Sequence, residues 1–362
     1  MKKLKVTLLY DAVEDQEKVA ARAKGKKFPL TYEMVEQVLR KRGHTVTVVA
    51  ATKDIRDLVA RVDRLDSDII FNLCESLGGL SQHEQNVAAL LELLDKRFTG
   101  SGSMGLSLAQ DKELAKKLLS FHGIRYPKYA VMDAGRVEWS DDLEFPVFIK
   151  PLNQDASIGI DNKSIVHNIK ELMERISYIH TEFETPALIE EYIEGREIYV
   201  GVLGNDKPEA LPIIEWDFSK VPEGTAKIAS TEAKWQENSK AFKDAEEIFP
   251  EDIPEPVYRE IQEAAINAFR SLKLRDYARI DMRLRKASSR KKEVAKDRKG
   301  NKDNGSAWQF YIIEVNPNPH LDIEAELAMA GAKYGLDYPD LIEKIIELAL
   351  ERTGPKVVMQ PV

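Results

Sequence analysis

Residues 310–319 read FYIIEVNPNP, and this stretch decides the fold. Its aromatic and β-branched residues predict a β-strand that ends in a carboxylate and an amide. Side chains two residues apart on a strand point to the same face, so Glu314 and Asn316 present their oxygens side by side. Pro317 and Pro319 end the strand and stiffen the segment that follows. The stretch therefore predicts a strand whose end carries hard oxygen ligands.

A second strand is predicted upstream, where residues 277–284 read YARIDMRL. Arg279 and Asp281 share one of its faces. If the two strands are neighbours, Asp281, Glu314 and Asn316 supply the oxygen ligands that Mg²⁺ prefers between carboxylates and nucleotide phosphates. The alternative is a sheet edge with solvated charges. Both strands together, with the lysines upstream, favour the metal site.

The bulk composition limits the class of protein. A chain of 362 residues is expected to form two or three domains. With 43% hydrophobic and 31% charged residues and no apolar run of ~20 residues, we expect a soluble globular protein that does not enter a membrane. A net charge of −8 argues against nucleic acid as a partner. The single Cys74 allows no internal disulfide, which suggests a cytoplasmic location, and it is expected to be a buried hydrophobe.

The hydrophobic pattern predicts an α/β fold class. Strands over 3–10, 44–50 and 67–73 alternate with helices over 31–41 and 55–62, which is typical of a parallel sheet with helices on its faces. The first strand lacks G-x-G-x-x-G, so a dinucleotide site has no support. Further elements are predicted as helices over 106–121, 169–179, 256–271 and 341–350, and as strands over 145–150, 187–192 and 197–203. Domains are predicted over 1–105, 106–196 and 197–362.

The segment 285–305 between the two ligand strands differs in composition from its surroundings. It is rich in Lys and Arg and contains Gly300 and Gly305. We predict a solvated tip of a β-hairpin. The alternative is a contact for an anionic partner.

Four more segments fit a nucleotide site. Lys150 ends a buried strand and leads into the small-residue loop 154–160, whose backbone N–H groups could cover phosphates. Carboxylates in 188–197 suit an adenine amino group and ribose hydroxyls. Asp111-Lys112 opens a helix, and 230–235 lies in a loop that could close over a site.

In combination these segments resemble the ATP-grasp enzymes, and within them the D-alanine–D-alanine ligase family, over roughly residues 67–350. Gly78-Gly79 and the segment 98–102 resemble a motif of that family's N-terminal domain. The resemblance implies a three-domain architecture: an N-terminal parallel-sheet domain, a central ATP-grasp subdomain and a C-terminal catalytic domain of α+β character. It also implies ATP, two Mg²⁺ or Mn²⁺ ions, and an acyl phosphate that an amine attacks. The partners implied are small-molecule carboxylate and amine substrates, and a homodimer is left open.

The resemblance assigns roles residue by residue. Asp281, Glu314 and Asn316 would hold the metal ions, and Arg279 would stabilise the oxyanion of a tetrahedral intermediate. Lys234 would meet the terminal phosphate. The nucleotide would be bound by Lys112 and Lys150 at the phosphates, Ser157 in the phosphate loop, Glu190 at the adenine amino group, Ile193 through its backbone at the ring, and Glu197 at the ribose hydroxyls.

The amino-acid contacts of the family are changed. The family's Gly-Gly-x-Ser-x-Glu motif is missing after the first strand, Ala156 stands where the family has the first of two serines, and Trp235 replaces a tyrosine. His320 replaces a glycine and is expected to be structural rather than a catalytic base, as are His83 and His122. Sites that pair particular polar groups discriminate strongly against ligands lacking them, so we predict substrates other than D-alanine.

Acidic residues follow the metal strand at Asp322, Glu324 and Glu326. They hint at an amine-bearing acceptor, although helix N-termini also favour acids. Two alternatives remain open. A D-alanine–D-alanine ligase of cell-wall synthesis would need Glu14 or Glu75 in place of the missing glutamate. A non-catalytic ATP-binding regulatory protein is disfavoured because the metal ligands and Arg279 are all present.

Overall fold

The computed structural model describes residues 2–13, 30–133, 136–138 (backbone only), 143–154, 157–221, 228–229, 244–286 and 307–352. These residues form three β-sheets flanked by α-helices. None of the helices within these ranges is long and apolar enough to cross a membrane.

The N-terminal sheet is parallel, with the strand order β2-β1-β3. Its strands and the helices around it are β1 Lys5–Asp11, α1 Thr31–Lys41, β2 Thr45–Ala51, α2 Ile55–Asp63, β3 Ile69–Asn72 and α3 Glu84–Leu93. The α1 stripe of Val35, Val38 and Leu39 is buried against the sheet. The prediction of a parallel sheet with helices on its faces is confirmed. Cys74 is buried in the same region, as expected.

The single helix predicted over 106–121 is wrong. The structure has two helices, α4 Ser103–Gln110 and α5 Lys112–Phe121. Between them Asp111 adopts an extended backbone, and its carboxylate accepts a hydrogen bond of 2.9 Å from the Leu114 N–H. An aspartate at this N-cap position satisfies one of the free N–H groups of a new helix, so the chain restarts there.

The second sheet is antiparallel, with the strand order β5-β4-β8-β6-β7. Its elements are β4 Tyr129–Asp133, β5 Arg136–Glu138, β6 Val147–Pro151, β7 Ile165–Val166, α6 Ile169–Phe183 and β8 Ala187–Glu191. Leu172, Ile176 and Ile179 of α6 pack against β6 and β8. Lys150 is the fourth of the five residues of β6 and is buried.

The third sheet is antiparallel and six-stranded, with the order β12-β11-β9-β13-β14 and β10 paired to β9. The remaining elements are β9 Arg196–Gly204, β10 Glu209–Ala210, β11 Ile214–Asp217, β12 Glu246–Ile248, α7 Glu255–Ser271, β13 Asp276–Lys286, β14 Trp308–Asn316, α8 Glu326–Tyr334 and α9 Tyr338–Glu351. The closing helix α9 begins earlier than predicted because Asp337 caps it, accepting from the Asp340 N–H at 2.9 Å.

The two faces of the third sheet serve different purposes. On β13, Ile280 and Met282 face the core under α7, whereas Arg279, Asp281 and Arg283 alternate onto the other face. That second face carries the candidate site. Apart from Arg196, the first residue of β9, the three sheets fall within the three predicted domains. The domain limits near residues 105 and 196 stay a prediction.

Candidate active site

The two predicted ligand strands are neighbours. In the antiparallel pairing of β13 and β14, Asp281 lies directly opposite Glu314, and Arg279 lies directly opposite Asn316. The register shifts between Asp281 and Met282, so Ile313 is an extra residue on β14. Such a bulge bends a strand and re-aims its side chains. The bulge keeps Glu314 and Asn316 on the face of Asp281 while Ile312 stays in the core.

Cations balance the two facing carboxylates. The Arg279 guanidinium donates to both Asp281 oxygens, at 2.8 and 2.9 Å, and to Glu326 Oε2 at 3.0 Å. Glu314 Oε1 lies 3.1 Å from the Lys112 ammonium. Because like charges directly opposite each other on a sheet are destabilising, these partners are what permits two acids in one place.

The donor set fits a hard cation. Asn316 Nδ2 is buried and has no hydrogen-bond partner among the described residues. Rotation of the Asn316 amide by 180° exchanges its nitrogen and oxygen and would present Oδ1 at this position. The described residues contain no cluster of three Asp, Glu, His or Cys side chains that could hold a metal. Two carboxylates and one amide are nonetheless the oxygen ligands that Mg²⁺ takes, so the metal site stays a prediction.

A buried cluster of charges lies beside these acids. Glu190 on β8 lies 2.5 Å from the Lys116 ammonium and 3.2 Å from the Lys150 ammonium. Lys150 also donates to the Ile313 carbonyl at 3.2 Å, and Lys112 donates to the Gln154 carbonyl at 2.7 Å. The structure thus brings the two predicted phosphate lysines to the metal-ligand strand.

Glu190 has a second task besides the one expected of it. Both of its oxygens contact lysine ammonium groups, so its carboxylate holds Lys116 and Lys150 in place. It also lines the cleft, and its role toward the adenine amino group stays a prediction. Burial by itself would raise the pKa of Glu190, but the two lysines outweigh it and the pKa lies below its ordinary value. Burial lowers the pKa of Lys116, and the attraction of Glu190 offsets only part of that shift.

Lys116 was missed by the sequence reasoning. It lies one turn after Lys112 on α5, and both belong to the helix's buried stripe with Ala115 and Leu119. Two lysines at positions i and i+4 of an otherwise apolar stripe were the available signal.

The other end of the site is built around Glu197. Its Oε1 accepts from the Tyr199 hydroxyl at 2.9 Å, and its Oε2 accepts from the Ala229 N–H at 3.2 Å and from Arg283 Nη1 at 3.1 Å. Arg283 also donates to the Ile193 carbonyl at 3.0 Å. Arg283 was not predicted, and from the sequence it is indistinguishable from the other charged residues of its strand.

These groups line one cleft between the second and third sheets. Of the predicted residues, those that line it are Lys150, Ser157, Glu190, Ile193, Glu197, Asp281 and Glu314. Ser157 donates to the Ala229 carbonyl at 3.0 Å, which joins the phosphate loop to the wall near Glu197. Lys112 and Arg279 stand just behind Glu314 and Asp281. Lys234 lies outside the described residues, as do Ala156 and Trp235.

A second polar cluster joins the catalytic strand to the N-terminal sheet. His320 Nδ1 donates to Glu75 at 3.1 Å, and Nε2 donates to Asp322 at 2.9 Å. Thr31, at the start of α1, donates to Asp322 at 2.5 Å. Burial by itself would lower the pKa of His320, but the two carboxylates outweigh it and raise the pKa to about 10, so the ring is a cation at neutral pH. Glu14 lies outside the described residues.

Comparison with known proteins agrees with this geometry. A family model described as D-ala D-ala ligase C-terminus matches residues 118–292. The uncharacterized protein y4sG of Sinorhizobium fredii is 30% identical over 325 residues, covering 88% of this chain and 87% of that protein. A D-alanine–D-alanine ligase of Desulfotalea psychrophila is 30% identical over 326 residues, covering 89% of this chain and 90% of that enzyme. The chain belongs to the D-alanine–D-alanine ligase family.

The fold of this family member matches solved structures. The D-alanine–D-alanine ligase of Bacillus anthracis complexed with ATP superposes with a TM-score of 0.68 at 22% identity, covering 96% of this chain and 97% of that one. The expected ATP-grasp architecture, with a parallel N-terminal sheet and antiparallel sheets elsewhere, is therefore confirmed. The protein is an ATP-dependent ligase of the ATP-grasp type.

Proposed function

We propose that the protein is an ATP- and Mg²⁺-dependent carboxylate–amine ligase that forms a peptide-like bond through an acyl phosphate. One observation carries the proposal. Asp281 and Glu314 face each other across two strands, and buried lysines stand beside them at one end of a cleft whose other end carries Glu197.

The ATP groups are assigned by charge. Lys112 and Lys150 are cations beside the acids, so they suit the phosphates. Ser157 in the phosphate loop and Lys234 are assigned to the phosphates by resemblance to the family. Glu197 suits the ribose hydroxyls, which donate hydrogen bonds to a carboxylate. The Ile193 backbone suits the edge of the adenine ring. Glu190 holds the two lysines and also lines the cleft, where it suits the adenine amino group.

The reaction balances without a protein nucleophile. A carboxylate oxygen of the first substrate attacks the γ-phosphorus of ATP, the bond to the β–γ bridging oxygen breaks, and ADP leaves. The amine of the second substrate then attacks the acyl carbon. Phosphate leaves with the former carboxylate oxygen, and the nitrogen loses a proton. By resemblance to the family we assign Arg279, whose guanidinium lies 4.7 Å from the centre of the Tyr199 ring, to stabilise the oxyanion that forms during this attack.

Asp281, Glu314 and Asn316 are the residues that would hold the metal. Two Mg²⁺ ions, when bound, supply neutralisation of the phosphate oxygens during transfer. Arg279 and Lys112 hold the two carboxylates in position beforehand. Mn²⁺ has the same preference for oxygen ligands and is expected to substitute.

The substrate is proposed to differ from D-alanine, because the family's Gly-Gly-x-Ser-x-Glu motif is missing and Ala156 and Trp235 replace its serine and tyrosine. The cluster of Glu75, His320 and Asp322 combines two carboxylates with one imidazolium and so has a net negative charge. It lies where the carboxyl end of β3 meets the segment after β14, the position at which open parallel sheets bind ligands. A negative cluster there favours a substrate with an ammonium group. The single buried cysteine supports a reducing, cytoplasmic location for this chemistry.

The test is a screen of phosphate release from ATP and Mg²⁺ across pooled amino acids and dipeptides, followed by mass spectrometry of the products. We expect ATP-dependent phosphate release with at least one amine-bearing pool. The product should have the summed mass of the two substrates minus one water. Asp281→Asn is the control that should give none. Release without any coupled product would contradict the ligase.

D-alanine ligation is the second candidate, because named relatives are D-alanine–D-alanine ligases and because Glu75 stands in the N-terminal domain beside His320. The same screen decides it. A turnover number in the ordinary range of ~1–10³ s⁻¹ with D-alanine alone would establish this candidate and overturn our substrate proposal.

A further inference from the structure

Arg283 is a buried cation in the wall of the cleft to which no step of the reaction assigns a role. We propose that it is a positioning residue that sets the selectivity of the nucleotide pocket for the ribose hydroxyls. The inference rests on the proposed function, which places Glu197 against the ribose.

The guanidinium of Arg283 is tied to three alternate positions of one segment. Nε donates to the Ile193 carbonyl at 3.0 Å, Nη2 donates to the Gly195 carbonyl at 2.8 Å, and Nη1 donates to Glu197 Oε2 at 3.1 Å. A planar guanidinium offers its donors in a rigid fork, so three such bonds fix the segment against β13 in one geometry. Lysine has no equivalent fork.

This segment connects the second sheet to the third. It leaves β8 after Glu191 and enters β9 at Arg196, and it lines the cleft. At Gly195 the backbone approaches β13 so closely that a Cβ atom would lie 2.3 Å from the Leu284 carbonyl oxygen, with φ at +159°. The close approach brings the Gly195 carbonyl within reach of Arg283.

The strand register sets the pair. Arg283 lies directly opposite Glu197 in the antiparallel pairing of β9 and β13, so both side chains emerge on the cleft face. Both are buried. A buried carboxylate that loses its cation is strongly destabilised. Without the guanidinium, Glu197 Oε2 would keep, among the described residues, the weaker neutral donor Ala229 N–H, and its orientation toward a ribose would be lost.

A purely structural role predicts something different. If Arg283 only holds β9 to β13, its loss should weaken the binding of all nucleotides equally. If it positions Glu197, its loss should weaken the binding of nucleotides with ribose hydroxyls more than the binding of those without them.

The experiment measures the affinity of ATP and of 2′,3′-dideoxy-ATP by calorimetry in the presence of Mg²⁺. The variants are Arg283→Gln, Arg283→Lys and Glu197→Gln, with Arg196→Gln as the matched control. Arg196 also pairs with carboxylates, Glu215 and Asp252, but it lies on the opposite face of β9 and does not line the cleft.

We expect the wild type to prefer ATP over the dideoxy nucleotide by about tenfold or more, a tenfold ratio being ~1.4 kcal/mol. Arg283→Gln should lose about tenfold more in ATP affinity than in dideoxy-ATP affinity, so that the preference falls to that of Glu197→Gln. Arg283→Lys, which keeps the charge without the fork, should be intermediate. Arg196→Gln should keep the full preference.

Several results would overturn the inference. An unchanged preference in folded Arg283→Gln and Arg283→Lys would assign Arg283 to structure alone, as would the failure of both variants to fold. If the wild type binds ATP and dideoxy-ATP equally well, the inference about Arg283 is wrong, whereas the proposed ligase function is unaffected. A wild type that binds no ATP would remove the proposed function as well.

Discussion

Asp281 lies directly opposite Glu314 in the pairing of β13 and β14, and each carboxylate is held by a different cation. Arg279 comes from the same strand as Asp281, whereas Lys112 reaches Glu314 from α5. The two acids are therefore fixed in the absence of any ligand. A hard cation would meet a site whose side chains already have their orientation.

Asp281→Asn is expected to lower ATP-dependent phosphate release by about 100-fold or more, because the amide removes an anionic ligand from a hard-cation site. Phosphate release at saturating Mg²⁺ measures the effect, and circular dichroism checks the fold. Asp252→Asn is the control, since Asp252 is exposed and pairs with Arg196 away from the cleft. Near-wild-type release by Asp281→Asn would refute the metal assignment.

Lys150→Met is expected to raise the dissociation constant for ATP by roughly 10- to 150-fold. A charge-assisted contact to phosphate contributes ~1.5–3 kcal/mol, and this lysine is buried at the cleft. Titration calorimetry gives the constant. Lys170→Met, an exposed lysine on α6, should leave it unchanged. If a folded Lys150→Met binds ATP as the wild type does, the lysine is structural.

Lys116→Met is expected to lower the free energy of unfolding by ~3 kcal/mol, the lower end of the range for breaking a buried ion pair, because Glu190 keeps Lys150. Its neighbour Lys117 is largely exposed and pairs with Glu113 within the helix, so Lys117→Met should stay within ~0.5 kcal/mol of the wild type. Urea denaturation of both variants makes the comparison. Equal effects would show that the buried cluster contributes little.

His320 should make stability depend on pH above neutrality. Its pKa is about 10 in the folded protein and ~6.5 when unfolded. Because its pKa is raised on folding, His320 stabilises the folded protein fully below about pH 6.5, and this stabilisation is lost as the pH rises through 10. At ~1.36 kcal/mol per pKa unit the loss amounts to a few kcal/mol. In His320→Gln the urea midpoint should change less between pH 7 and 10 than it does in the wild type. In His122→Gln the midpoint should change with pH as in the wild type.

Deletion of residues 287–304, with a short turn in their place, should leave ATP binding and stability nearly unchanged. The ladder between β13 and β14 is paired as far as Lys286 opposite Trp308, so the strands do not need the segment for their register. Loop closure changes by only ~0.6 kcal/mol per doubling of length. Calorimetry and urea denaturation measure the two properties. Loss of ligation with intact ATP binding would instead assign the segment to an anionic substrate or partner.

Local patterns predicted much of the fold correctly. The helix Thr31–Lys41 has the bounds that its apolar spacing and Gly43 indicated, and both ligand strands form where aromatic and β-branched residues alternate with charges. Asp111 shows the limit of this reasoning. The helical spacing of apolar residues continues through Asp111, but its carboxylate accepts a hydrogen bond from the Leu114 N–H, and the helix is interrupted there. The strands β4, β11 and β12 and the helix α8 were not predicted, because they are short or are stabilised mainly by their neighbours.

The sequence by itself determined which residues carry charge on each strand and helix, because side-chain direction follows from the period of the element. It thereby determined that Glu314 and Asn316 share a face and that Arg279 and Asp281 share another. Only the tertiary structure decided which of these faces meet. The register that sets Arg283 opposite Glu197, the bulge at Ile313, and the approach of Lys116 to Glu190 all join residues far apart in the chain. Such pairings depend on how whole elements pack, and a slip of one residue in a strand would turn the side chains of that strand to the opposite face.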